Sequence, residues 1–290
     1  MQYQSTLRAV RTVWIGRDAR CYAYFLARRK QNSQTSEGVK SRMRTLVCSV
    51  LLMAGAELAS CGGGSSPPPI QGVSPGGIWH GTDSASGLAI TGLVDEAGFG
   101  EFVRADNAVF QGQVSTSGSD SISVDADGYA EFKFPNGSQH GIWMVTGTIQ
   151  ARTSISATSK FTPDGGTTSQ GSLQLTFDPL YNQPSSLATV AGGYLVGAGF
   201  INIGPDGSIS GHEPTIGDYS GQISVIDPAY NLYRVQLTLT ASTGGVVFDA
   251  NGLATMDKPG GTIRIMIVGV GTAYGGTAPW VDKWCPYACP

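Results

Sequence analysis

An all-β chain carrying two tandem small antiparallel β-barrel (or sandwich) modules is what this sequence predicts, and three observations predict it. Between residues 76 and 275 helical periodicity is nearly absent, and short apolar–polar alternations fill the chain. Turn dipeptides recur at Asp127-Gly128, Asn136-Gly137, Asp164-Gly165, Asp206-Gly207 and Asn251-Gly252, pairs that tight hairpins favour because they tolerate positive φ. The third observation is an internal echo. Gly77-Ile78-Trp79 opens one half and Gly193-Tyr194 the other, while Phe110-Gln111-Gly112-Gln113 answers Tyr219-Ser220-Gly221-Gln222. Gly98 and Gly207 stand 109 positions apart, as do Gly112 and Gly221. The opening glycines Gly77 and Gly193 are 116 apart, which places a seven-residue insertion near the start of the first half.

Taken in order, residues 1–42 carry nine basic side chains against Asp18 and Glu37 and read as an upstream extension, with translation expected to begin at Met43. Residues 43–60 open on Arg44 and run apolar from Leu46 to Ala56, the length of a signal-peptide core; a membrane-spanning helix needs roughly 20 apolar residues. Leu58-Ala59-Ser60-Cys61 closes the run. Residues 61–75 open with Cys61, three glycines, two serines and Pro67-Pro68-Pro69, a flexible then stiffened tether with nothing to bury.

The first β module is placed at 76–180 and the second at 181–275. Between them 185–191 reads as one short helix capped by Ser185 or Ser186. In the second module eight apolar runs are centred near Leu195, Ile201, Ile209, Ile223, Val235, Val247, Ala254 and Ile265, a number suited to a small closed barrel. The cleanest alternation puts Tyr233, Val235, Leu237 and Leu239 on a core face. The run from Ile263 to Val268 reads as covered on both sides. Residues 276–290 are read as a Trp/Cys tail.

The junction at 58–61 resembles the lipobox of bacterial lipoproteins. That resemblance implies diacylation of the Cys61 thiol, removal of everything before it, and membrane lipid as a partner; several acyl chains anchor far more firmly than one. In that class an aspartate after the cysteine retains the protein in the inner membrane, so Gly62 implies the outer membrane. Gly77-Ile78-Trp79 loosely resembles the opening of lipocalin-like barrels. The layout of lipobox, tether and Gly-rich β modules resembles surface lipoproteins that bind proteins.

Ten of the 18 basic but only three of the 21 acidic residues precede Cys61, leaving 8 against 18 and a net charge of −10 beyond it. Such a surface is poorly suited to phosphate backbones, so nucleic acid is excluded as a partner. Cys21 and Cys48 precede the cleavage point. Cys285 and Cys289 remain and are expected to pair as a disulfide. Metal and cofactor sites are not expected. Asp125-Ala126-Asp127-Gly128 resembles part of a calcium loop, but that register ends on Phe134 instead of glutamate. His80, His140 and His212 are the histidines, and no Gly-x-Ser-x-Gly elbow accompanies them. No catalytic residue is assigned. The expected function is a non-catalytic, lipid-anchored envelope lipoprotein of structural or binding role; an adhesin capturing a protein partner and an envelope hydrolase are the alternatives. Replacing Met43 in the full-length gene is expected to abolish the product on an immunoblot; undiminished product would show that residues 1–42 are used.

Overall fold

The computed structural model describes residues 72–130, 134–242, 244–258, 260–271 and 276–286, and for 276–286 the backbone alone. The extension 1–42, the signal segment 43–60, Cys61 with the tether to residue 71, and Cys289 lie outside the described residues, as does the Cys285 side chain. The first barrel is a meander in which each strand pairs antiparallel with the next. Its strands are β1 (Gly77–Asp83), β2 (Leu88–Val94), β3 (Phe99–Arg104), β4 (Val109–Ser117), β5 (Ser121–Tyr129), β6 (His140–Gln150), β7 (Ser154–Pro163) and β8 (Ser169–Phe177). It closes where β1 pairs with β8, from Trp79↔Phe177 to Asp83↔Leu173.

A linker follows. Asp178 caps a 3-10 turn over Pro179–Asn182 by accepting the Leu180 N–H at 2.9 Å. The expected short helix is α1 (Leu187–Val190), capped by Ser186, whose Oγ accepts the Thr189 N–H at 3.2 Å; Ser185 Oγ instead donates to the Asp227 carbonyl. The second barrel comprises β9 (Gly192–Val196), β10 (Gly199–Ile203), β11 (Ser208–Glu213), β12 (Gly217–Val225), β13 (Tyr233–Ala241), β14 (Val246–Met256), β15 (Ile263–Gly271) and β16 (Gly276–Pro286). It closes through Cys285↔Leu195 and Pro286↔Tyr194.

Two expectations change here. Residues 276–286, read as a tail, form the eighth strand of the second barrel, which therefore spans 192–286 instead of 181–275. Pro279 hid it, because a proline argues against a central strand. Among the described residues β16 pairs with β9 only at Cys285 and Pro286, so Pro279 sits where a missing N–H breaks no second ladder. The runs at Val247 and Ala254, expected as two strands, are one, β14, so the eighth strand of this barrel is β16. Asn251-Gly252 is thus mid-strand, and Asp127-Gly128 likewise lies inside β5. The turns at Gly137, Gly165 and Gly207 have φ of 88°, 64° and 82°, as their dipeptides require.

The duplication is visible atom by atom. Gln113 Nε2 donates to the Ala97 and Val114 carbonyls, and Gln222 Nε2, 109 residues on, donates to those of Asp206 and Ile223. The turn glycines match too: Val114 N–H donates to Gly98 O at 2.7 Å and Ile223 N–H to Gly207 O at 2.8 Å. Trp79 Nε1 reaches back four residues to Pro75 O, as Tyr194 Oη does to Val190 O. The predicted insertion is absorbed by longer β1 and β2 strands and a longer turn than in β9 and β10.

Each interior is one apolar cluster. In the first barrel Trp143 packs 5.1 Å from Phe102 and 4.8 Å from Phe110, ring centre to ring centre, and Phe161 lies 5.7 Å from Phe110. The second is filled by Tyr233, Val235, Leu237 and Leu239, as expected, with Ile201, Ile223, Ile263 and Ile265 among their neighbours. Ile263 and Ile265 face this core, while Met266 is buried on the opposite side, so β15 is covered on both faces. Gly112 and Gly221 mark equivalent close approaches. A Cβ at either would stand 2.1 Å from the carbonyl oxygen of Asp125 or Gln236 respectively. Gly112→Ala and Gly221→Ala are each expected to destabilise the protein by about 1–3 kcal/mol in urea unfolding; an unchanged midpoint for either would contradict the close approach.

Candidate functional site

Three places concentrate polar or unusual side chains: the barrel interior, the histidines, and the seam between the barrels. Beside Trp79 and Trp143 the space over Gly92 and Gly100 is taken by neighbouring side chains, and Gly112 lies against the backbone of β5. A Cβ at Gly92 would meet the Phe102 ring at 2.5 Å, and one at Gly100 would meet Val114 at 2.9 Å. Near the far rim, Gly128 and Gly141 likewise accommodate Phe110 and Phe161. These glycines admit aromatic rings. At that rim Arg104, buried and inward-facing, forks onto both Asp106 carboxylate oxygens at 2.9 and 2.8 Å and lies over Phe110 and Phe134. Buried Asp83 accepts from Ser159 Oγ at 2.7 Å and Ser86 Oγ at 3.0 Å.

The histidines lie apart, and each has an aspartate. His80 contacts Thr91 Oγ1 through Nδ1 at 3.1 Å and Asp178 through Nε2 at 3.0 Å, which fastens the linker to β1. His212 Nδ1 lies 2.7 Å from Asp218. His140 bridges two carboxylates, Asp164 from Nδ1 at 2.9 Å and Asp127 from Nε2 at 3.1 Å. With both ring nitrogens aimed at carboxylates, the imidazolium is favoured. Partial burial opposes that, but the two aspartates outweigh it and raise the His140 pKa. Among the described residues no group of three or more His, Cys, Asp or Glu side chains is arranged to hold a metal ion.

The most elaborate polar construction lies where the barrels meet. Ile78, Leu93 and Tyr181 pack with Leu232, Leu253 and Met266 in an apolar cluster between them. Beside it Glu101 of β3 is wholly buried. Its carboxyl accepts Gln111 Nε2 at 2.5 Å and the Leu253 N–H of β14 at 2.6 Å. Gly252 is the seat for this carboxyl, since a Cβ there would lie 2.4 and 2.6 Å from its oxygens. Arg234 of β13 pairs with buried Asp95 at 3.0 Å and lies over Phe99. Arg152, in left-handed backbone at φ 49°, donates to Asn182 Oδ1 and Tyr230 Oη at 2.8 Å and to Glu96 at 3.3 Å. Tyr230 in turn stacks on Tyr181 at 4.7 Å and 11°.

Sequence reasoning does not single out Glu101, Arg234 or Arg152, and it reads Gly252 as a turn residue. One signal was available: Phe99 and Val103 flank Glu101 on the outward face of β3, where a solvent-facing strand would carry polar side chains. A lone glycine inside a strand, as at 252, was another sign of close approach.

No protein-family model matches the sequence, and no curated protein matches it. Among solved structures, a "putative outer membrane protein" from Bacteroides fragilis is similar at 11% identity, over 72% of this chain and 92% of that one, with a TM-score of 0.23. His140→Gln is expected to flatten one component of the pH profile of stability. Because the folded pKa is raised, the contribution of His140 is complete below the unfolded value near 6.5 and fades as pH rises through the folded one. An NMR titration of the His140 ring giving a pKa at or below 6.5 would refute this.

Proposed function

We propose that the chain is a lipid-anchored envelope lipoprotein whose barrels serve a non-catalytic, structural or protein-binding role. The observation that carries this reading is the direction of the alternation. Barrels that span membranes are apolar outside and polar within. Here Trp79, Trp143, Tyr233 and Leu237 point inward, while Ser123, Asp125, Thr146, Thr158, Gln236 and Asn251 face out. Among the described residues the outward positions are mainly polar, which favours attachment through a separate element, and that role falls to Cys61 with its lipobox. The Gly62 position favours the outer membrane. Interiors filled by their own rings and isobutyl groups favour a role exercised by outer surfaces over one that encloses a small ligand.

An adhesin reading draws on exposed apolar side chains that come in pairs. Ile142 and Met144 stand on successive outward positions of β6, and Leu195 faces Phe200 across β9 and β10. Paired exposed apolar side chains suit protein contact better than single ones. Protection of the barrels from added protease on intact cells, with cleavage after permeabilisation, would exclude that version. For the main reading, wild-type protein is expected to incorporate an acyl-chain probe and fractionate with membranes, and Cys61→Ala to do neither. A Cys61→Ala protein that still labels would overturn it.

A further inference from the structure

Glu101 is wholly buried where the two barrels meet, with its carboxyl carried from β3 of the first onto β14 of the second. Among the described residues the groups facing it are few. β4 brings the Gln111 amide, β14 the Leu253 N–H and Gly252, and β15 the apolar Met266. Among the described residues the charged groups nearby are Arg234 and Asp95, and these two pair with each other at 3.0 Å. The guanidinium is therefore shared with a carboxylate that already holds it. Among the described residues an ionised Glu101 would have two hydrogen bonds and no counter-ion that is not already paired, an arrangement that burial strongly disfavours.

We propose that Glu101 makes the seam between the barrels a pH-sensitive latch, seated when its carboxyl is protonated and released when it ionises. The electrostatics agree in direction. Burial raises the Glu101 pKa more than its hydrogen bonds to Gln111 and Leu253 and the Arg234 charge lower it, and the result is pushed up to about 8 from the usual 4.5. A carboxyl with a raised folded pKa binds more protons docked than undocked. Its contribution to docking is complete below pH 4.5, declines as pH rises, and is gone above about 8. Between those values each pH unit disfavours the docked form by up to about tenfold. Neutral pH lies inside the window, so a modest alkaline shift moves the balance. This latch is independent of lipidation at Cys61.

The test is amide hydrogen exchange on the full-length protein from pH 6 to 9, corrected for the intrinsic pH dependence of exchange, followed at Leu253 and its neighbours in β14. The wild type is expected to lose roughly 10–100-fold in protection across that range. Glu101→Gln, which stays neutral, is expected to hold a flat profile. Equal profiles for the two proteins, or a flat wild type, would overturn the latch. Should Glu101→Gln not fold, infrared titration of the wild type decides alone. A protonated carboxyl band that disappears between pH 7 and 9 supports the proposal, and the lack of any carboxyl titrating above pH 6 sinks it.

Discussion

Closure of each sheet on a dry interior is the constraint on which everything else in this protein depends. An eight-strand barrel leaves room for about one layer of side chains from each strand. The volume must be filled with little slack, because voids forfeit dispersion contacts. The two barrels solve this differently. The first uses large rings set against glycines, Phe102 over Gly92 and Phe110 over Gly128. The second uses aliphatic side chains from Val235, Leu237, Ile223 and Ile265 around Tyr194 and Tyr233. Several of these rings sit opposite a glycine, which is one reason glycines punctuate strands where propensity alone would disfavour them.

With each interior filled, the outer walls are what remains for contact, and part of each is occupied by the neighbouring barrel. The seam is a miniature core with polar edges. Tyr181 and Leu253 exclude water, Arg152 and Arg234 tie its margins, and Glu101 is carried into the partner wall. Removing one partner of such a buried polar contact leaves the other unsatisfied, which costs more than the contact contributes net. The two barrels are thereby joined by a continuous set of apolar and polar contacts. The longer loop between β12 and β13, which supplies Tyr230 and Leu232 to the seam, is a divergence from the first repeat that made this possible.

Duplication explains why the repeats share local devices and differ at their contacts. Gln113 and Gln222 lock equivalent turns, and Trp79 and Tyr194 reach back to carbonyls at the same separation, because each barrel must solve those problems for itself. Glu101 and Gly252 answer a need that arises only once, where unlike faces meet. They fall on β3 of the first barrel and β14 of the second, which are not equivalent strands of the repeat.

The sequence by itself determined the all-β class, the duplication, the inward face of β13 and the capped helix before β9, because each follows from neighbours within a few residues or from a comparison of the two halves. Alternation reports burial strand by strand, and the dipeptides at Gly137, Gly165 and Gly207 report local φ. What only the tertiary structure decided were facts about distant partners. Asn251-Gly252 has the local chemistry of a turn, yet it runs straight because β13 and β15 pair on both sides and Glu101 needs the space. Residues 276–286 have weak strand character, yet they form β16 because the sheet cannot close without an eighth strand. The three histidines, conspicuous in the chain, turned out to be tied to single aspartates or a pair of them. The unremarked Glu101 became the most unusual carboxyl, because burial depends on what another barrel brings to it.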